Sequence, residues 1–153
     1  MDKLDKRTLK ALQKNGRKSN ADLARELQVA PSTMLERTRR LEEKGIIAGY
    51  KAEVSPEALG FGVQAYISVS LEHHDVEDIK KFESDIQVVD NVRACYHITG
   101  RFDYLLYVCA NDLNHLGELI KTKIASITGI GKAETFLVLS ETKKDQGWPI
   151  SED

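Results

Sequence analysis

The sequence predicts an α+β chain in two parts, and three observations carry that reading. Short helical periods, separated by polar breaks, fill the first fifty residues. From residue 61 on, apolar strands and amphipathic helices follow in the order β-α-β-β-α-β. The charge divides at the same place: residues 1–50 hold 12 Lys+Arg against 7 Asp+Glu, residues 51–153 hold 10 against 17, and the net charge of −2 hides the asymmetry. A basic head on an acidic body directs any polyanionic partner to the head.

Composition narrows the class further. With 41% hydrophobic and 30% charged residues, the chain reads as a soluble globular protein. Its longest apolar run, "YLLYVCA" (104–110), is too short to cross a bilayer. The stretch after Met1 is charged from Asp2 onward and lacks the apolar core of a signal peptide. Two cysteines suit a reducing compartment without a disulfide framework. The expected location is the cytoplasm, with no membrane partner.

The head reads as three helices. The first covers roughly 3–15, with Leu4, Leu9 and Leu12 as its apolar positions, and stops at Asn15-Gly16. The second opens at Ser19, an N-cap residue with Asp22 three positions on, and shows Leu23, Ala24 and Leu27 on one face. After the break "QVA", Pro31 suits the first position of a third helix, which Gly45 closes after Lys44. Met34, Thr38 and Leu41 form its apolar thread.

Helix, short turn, helix is a helix-turn-helix, whose second helix enters the major groove of DNA. The stripe Thr33, Arg37, Arg40 and Lys44 is expected to face outward and contains no acid; Ser32, Glu36, Arg39 and Glu43 run beside it. Small hydroxyls permit close approach, and arginines reach phosphates or a guanine edge. The expected DNA contacts are Ser32, Thr33, Glu36, Arg37, Arg40 and Lys44. The i,i+4 pairs Glu36–Arg40 and Arg39–Glu43 also occur on helices that face only water. The helix-turn-helix frame and the basic head decide for double-stranded DNA.

In the body, "FGVQAYISVSL" (61–71) alternates, with Val63, Ala65, Ile67, Val69 and Leu71 on one face. A helix over 75–86 carries Val76, Ile79, Phe82 and Ile86. "NVRACYHI" and "YLLYVCA" form a hairpin around "TGRFD" (99–103). A helix over 112–127, capped by Asp112, carries Leu113, Leu116, Ile120, Ile124 and Ile127, and a last strand follows "ITGIG". This order is that of a ferredoxin-like sandwich. "HHD" (73–75) reads as a polar loop and N-cap rather than a metal site, since adjacent histidines on a strand point apart. Cys95 and Cys109, expected near each other across the hairpin, read as small buried residues. No catalytic constellation, metal site or cofactor is expected.

The pieces "LQKNGRKS", "LARELQVAPST", "RRLEEKGII" and "SPEALGF" resemble, in order, the N-terminal half of the Lrp/AsnC family of transcriptional regulators. "YHITGRFDYLLYV" and "ITGIGKAETFLVLSETK" resemble its amino-acid-sensing domain. The resemblance implies a winged-helix-like DNA-binding domain over 1–50, a linker strand and hinge over 51–60, in which "IIAGYKAEVS" (46–55) is the strand leading out of the DNA-binding domain, and a sensing and oligomerisation domain over 61–142. The chain ends in a tail, 143–153, of which "DQGWPISED" (145–153) lies outside the resemblance, and no role for Trp148 follows from the sequence. One departure is Ala30, where the family usually places a serine that caps the recognition helix.

By the same resemblance, the function is sequence-specific DNA binding that responds to an amino-acid effector, in a nucleoid-associated protein. The assembly is a homodimer that forms an octamer of four dimers. The effector would meet Gly100, Arg101, Phe102, Asp103 and Thr135. Gly100 would let backbone N–H groups approach a carboxylate, and Asp103 would accept from an α-ammonium group or pin the turn. Arg101 stands where the family's turn usually has an acid, which bears on the charge the pocket offers. Two alternatives remain at this stage: an architectural DNA binder without an effector, and an enzyme resembling siroheme decarboxylases, with His97 at its centre.

Overall fold

The computed structural model describes residues 1–151. The chain folds as two compact units, one made of residues 1–53 with the segment from Thr142, the other of residues 54–141.

In the first unit, α1 (Lys3–Lys14) opens on a reciprocal capping box: the Asp5 N–H donates to Asp2 and the Asp2 N–H to Asp5. Its buried face is Asp5, Thr8, Ala11 and Leu12, so a carboxylate and a hydroxyl occupy inward positions where the sequence suggested leucines. Leu4 packs only partly against the core. Next, α2 (Asn20–Leu27) is capped by Ser19, which accepts from the Asp22 N–H, and buries Leu23, Ala24 and Leu27. It ends on Gln28 in the left-handed conformation, φ 59°, and this residue makes the turn.

The third helix, α3 (Pro31–Glu43), buries Met34, Thr38 and Leu41, the thread read from the sequence. Each fully buried large side chain of this kind contributes about 1.5–3 kcal/mol. Ala30 holds the backbone shape of an N-cap but offers no side-chain acceptor.

The strand expected within 46–55 is absent. Residues 48–55 carry no strand ladder, and a single 3₁₀ turn, Glu57–Leu59, closes on Gly60 at φ 82°. A strand exists only where a partner completes its hydrogen bonds, and this segment meets none among the described residues.

The second unit is a four-stranded antiparallel sheet in the order β2-β3-β1-β4, built from β1 (Val63–Leu71), β2 (Val92–His97), β3 (Tyr104–Ala110) and β4 (Ile130–Leu137). Ala65, Ile67, Val69, Leu106 and Val108 are buried in one core with Phe82 and Ile86 of α4 (Val76–Gln87) and Leu116 and Leu119 of α5 (Leu113–Leu119). This is the ferredoxin-like order. Asp75 caps α4 by accepting from Glu77 and Asp78 N–H groups, as the "HHD" reading anticipated.

The long helix expected over 112–127 departs from the α form midway: α5 continues as a π-helical turn, Ile120–Ile124, in which the Ala125 N–H donates to the Ile120 carbonyl at 2.7 Å. Leu116, Ile120 and Ile124 recur every four residues, wider than an α-turn, and the wider turn keeps them toward the core. Thr122 and Ser126 hydroxyls bond carbonyls four residues back and loosen the same ladder.

The other sheet face is aromatic and open: Tyr66 stacks on Tyr107 with centroids 4.9 Å apart, and Tyr66, Tyr96 and Phe136 are exposed. The two cysteines do not meet. Cys95 pairs in register with Leu106 and Cys109 with Gln64, which places them on opposite faces of the sheet. Burial pushes the Cys95 thiol up to about 11, with Glu83 adding to the shift.

Candidate nucleic-acid interface and effector site

Of the residues expected to meet DNA, Ser32, Thr33, Glu36 and Lys44 are exposed on or just after α3. Arg37 is half-buried, against the expectation, and Arg40, although exposed, is also bonded to α1. Arg37 Nη1 lies 2.8 Å from Asp5 Oδ1 and also bonds Asp2, and its side chain is only 23% exposed. Arg40 Nη2 donates to both Asp5 oxygens, at 3.0 and 3.1 Å.

At about 100° per residue, Ser32, Glu36, Arg39 and Glu43 lie opposite the Met34–Leu41 face. The stripe Thr33, Arg37, Arg40 and Lys44 runs along the flank, where Arg37 and Arg40 meet the acids of α1. Arg39 is itself bonded to Glu43 at 2.6 Å. Burial resists ionisation of Asp5, but the Asp2 N–H and the Arg37 guanidinium outweigh it and hold the carboxyl below its ordinary value. Sequence reasoning missed Asp5, although the capping box "DKLD" was legible. It also passed over Leu35, which stands 56% exposed beside Glu36 and suits a thymine methyl.

The second unit gathers its polar groups at the β2–β3 turn. Gly100 has φ 131° and open space where a Cβ would stand, so glycine serves the backbone here and not a crowded contact. Asp103 pins the turn: its N–H donates to the Val69 carbonyl, and its carboxylate accepts from the Leu71 N–H at 2.8 Å and bonds His74 at 3.0 Å. The Leu71 N–H first, then His74, holds this carboxyl below its ordinary value against partial burial.

Arg101 lies 3.6 Å from Glu134, and its guanidinium stands 5.2 Å from the Phe102 ring centre. Lys132 bonds Glu134 at 3.0 Å and stands 5.7 Å from the same ring. The expected position of Thr135 beside the hairpin is corrected by the sheet order: β1 separates β4 from the hairpin strands. Thr135 pairs with Ile67, whereas Lys132 and Glu134, on the other face of β4, reach the turn. Strand alternation alone would have singled them out once the sheet order was known.

A helix-turn-helix unit joined to a ferredoxin-like unit with a charged turn defines a ligand-responsive DNA-binding regulator. Residues 1–48 match the winged helix-turn-helix DNA-binding family, and residues 64–148 match the Lrp/AsnC ligand-binding domain. The leucine-responsive regulatory protein of Haemophilus influenzae is 31% identical over 144 residues, 94% of this chain and 87% of that protein.

Among solved structures, a transcriptional regulator from Neisseria meningitidis in complex with L-Met superposes with a TM-score of 0.93 at 33% identity, covering 97% of this chain and 96% of that one. AsnC of E. coli gives 0.85 at 29% identity, covering 96% and 99%. The chain belongs to the Lrp/AsnC family of DNA-binding transcriptional regulators. These relatives are regulators and not enzymes.

Proposed function

We propose that this regulator binds a free amino acid at the β2–β3 turn, and that occupancy shifts its assembly and its affinity for DNA. The observation that carries this reading is the cluster of Arg101 and Phe102, on a turn fastened by Asp103, with Lys132 and Glu134 of β4. A zwitterion needs a cation, an anion and an apolar surface together, and the cluster supplies all three. Asp103 is held by the backbone of the turn, whereas Glu134 is held only by the side chains of Lys132 and Arg101, so Glu134 is the acceptor that an ammonium group can take over. Arg101 and the backbone around Gly100 serve the carboxylate. The neisserial regulator solved with L-Met makes methionine the first candidate, and the leucine-responsive relatives make leucine the second.

On the DNA side, Ser32, Thr33 and Glu36 read base edges, Glu36 as acceptor for a cytosine amino group, while Arg40 and Lys44 position the helix on phosphates. Arg37 acts mainly through the fold. The open aromatic face of the sheet supports a homodimer, since a second copy presents the same surface. Four such dimers form the octamer expected from the family, in the cytoplasm on the nucleoid. The effector acts by its differential affinity for two assembly states.

The test is isothermal titration calorimetry of the full chain with L-Met, L-Leu and the remaining amino acids. Anisotropy titrations on DNA upstream of its own gene accompany it. At least one amino acid is expected to bind and to shift DNA affinity. Specific DNA binding that none of the twenty alters would overturn the effector reading and leave the architectural alternative.

A further inference from the structure

The outward side of α3 carries one apolar residue among polar ones. Met34, Thr38 and Leu41 are buried, and Arg37 and Arg40 on one flank are bonded to acids of α1. At about 100° per residue, Ser32, Leu35, Glu36 and Arg39 follow at spacings of three, one and three and make a single exposed stripe. Leu35 forms its edge on the side away from Arg37. Arg39 is tied only to Glu43, in an exposed i,i+4 pair that a stronger partner displaces.

Among the described residues of α3, Leu35 is the only large apolar side chain left exposed, at 56%. An isolated exposed leucine is ordinary on a protein surface, but the place of this one is not. It stands in the second turn of α3, the helix that a helix-turn-helix lays in the major groove with its N-terminal residues toward the base edges. The surrounding unit is basic, with 12 Lys+Arg against 7 Asp+Glu over residues 1–50. That charge suits a duplex, more than a second copy of the same basic unit, as the occupant of this face.

We propose that Leu35 is a specificity-determining residue that reads the C5-methyl group of a thymine in the major groove. An isobutyl group neither donates nor accepts a hydrogen bond. Against the polar edge of guanine, adenine or cytosine it removes water and returns nothing, which penalises those bases. The thymine methyl is the one alkyl group that unmodified base pairs present in the major groove. Ser32 and Glu36, on the same stripe, serve the polar edges beside it. The inference rests on the DNA-binding role of the family and adds an apolar reader to the polar contacts of α3.

The test starts from a duplex that the wild-type full chain selects from a random-sequence pool. It is made once with thymidine and once with deoxyuridine, which pairs in the same way and lacks only the C5-methyl group. Wild type, Leu35→Ala and Leu35→Met are titrated on both duplexes at one salt concentration. Wild type is expected to prefer the thymine duplex by about fourfold for each methyl contacted, the effect of burying one such group. Leu35→Ala should bind the thymine duplex weaker by the same factor and keep less than about a twofold preference. Leu35→Met, which retains an apolar reach, should keep most of the preference.

Equal affinity of wild type for the two duplexes would overturn the proposal while leaving the DNA-binding role intact. A Leu35→Ala variant with the wild-type preference would do the same, because another side chain would then read the methyl. Sedimentation velocity and urea unfolding of the variants without DNA are expected to match wild type. A change in either would place Leu35 in a contact between copies or in the fold, against the proposal. Failure of wild type to select any duplex would remove the DNA-binding role itself, and the proposal with it.

Discussion

The Arg37 guanidinium is bound 2.8 Å from the buried Asp5 carboxylate, so α3, the helix proposed to enter DNA, is fastened to α1 by a side chain that looks like a DNA contact in sequence. Breaking a largely buried pair leaves the survivor without its partner, which costs more than the pair itself contributes. Asp5→Ala is therefore expected to destabilise the first unit by about 2–3 kcal/mol, and Arg37→Ala by somewhat less because that side chain retains some access to water. Urea unfolding of both variants checks this. An Arg37→Ala variant with wild-type stability and weakened DNA binding would return Arg37 to the phosphate.

That pair also marks the boundary of what the sequence discloses. The helices, their caps at Ser19, Asp75 and Asp112, and the thread Met34, Thr38 and Leu41 follow from local periodicity and short-range hydrogen bonds. The flank of α3 meets α1 across more than thirty positions of sequence, and no local pattern reports such a contact. The β2–β3 turn divides in the same way. "TGRFD" and the left-handed Gly100 were legible, but the approach of Lys132 and Glu134 instead of Thr135 depends on sheet order and register. The π turn after α5 reads as α-helix in the sequence because its four-residue apolar spacing is close to the α-helical period.

Ala30 offers a stabilising change. Its φ of −67° and ψ of 142° already have the N-cap shape, and the side chain alone is lacking. Ala30→Ser should supply an acceptor for the Thr33 N–H and stabilise α3 by about 1 kcal/mol. Hydrogen exchange at Thr33 should slow roughly fivefold, as that energy corresponds to. Unchanged exchange would mean that the serine turns to solvent.

Asp103 gives the second unit a stability that depends on acid. A carboxyl held below its ordinary pKa of 3.8 stabilises fully above that value, and the contribution is lost as pH falls through the lower folded value. Asp103→Asn removes the titration but can still accept from the Leu71 N–H. The variant should be about 1 kcal/mol less stable than wild type at pH 7, and the gap should close as pH falls through the lowered value of the Asp103 carboxyl. Chemical unfolding at pH 7, 4 and 2.5 measures it. A gap that stays constant across this range would show that the charge of Asp103 does not hold the turn.

Thr38 is the one described side chain whose buried polar atom has no hydrogen-bond partner. It sits between Met34 and Leu41 on the buried face of α3, where its methyl group packs and its hydroxyl is taken from water without return. An unsatisfied buried hydroxyl costs about 1–3 kcal/mol. Thr38→Val keeps the shape, replaces the hydroxyl with a methyl, and hardly changes helix propensity. It should raise the stability of the first unit by about 1–2 kcal/mol. Thr38→Ser removes the methyl, keeps the hydroxyl, and should lower stability by about 1 kcal/mol. Paired urea titrations decide the point: a valine variant no more stable than wild type would mean that a water molecule satisfies Thr38 in solution.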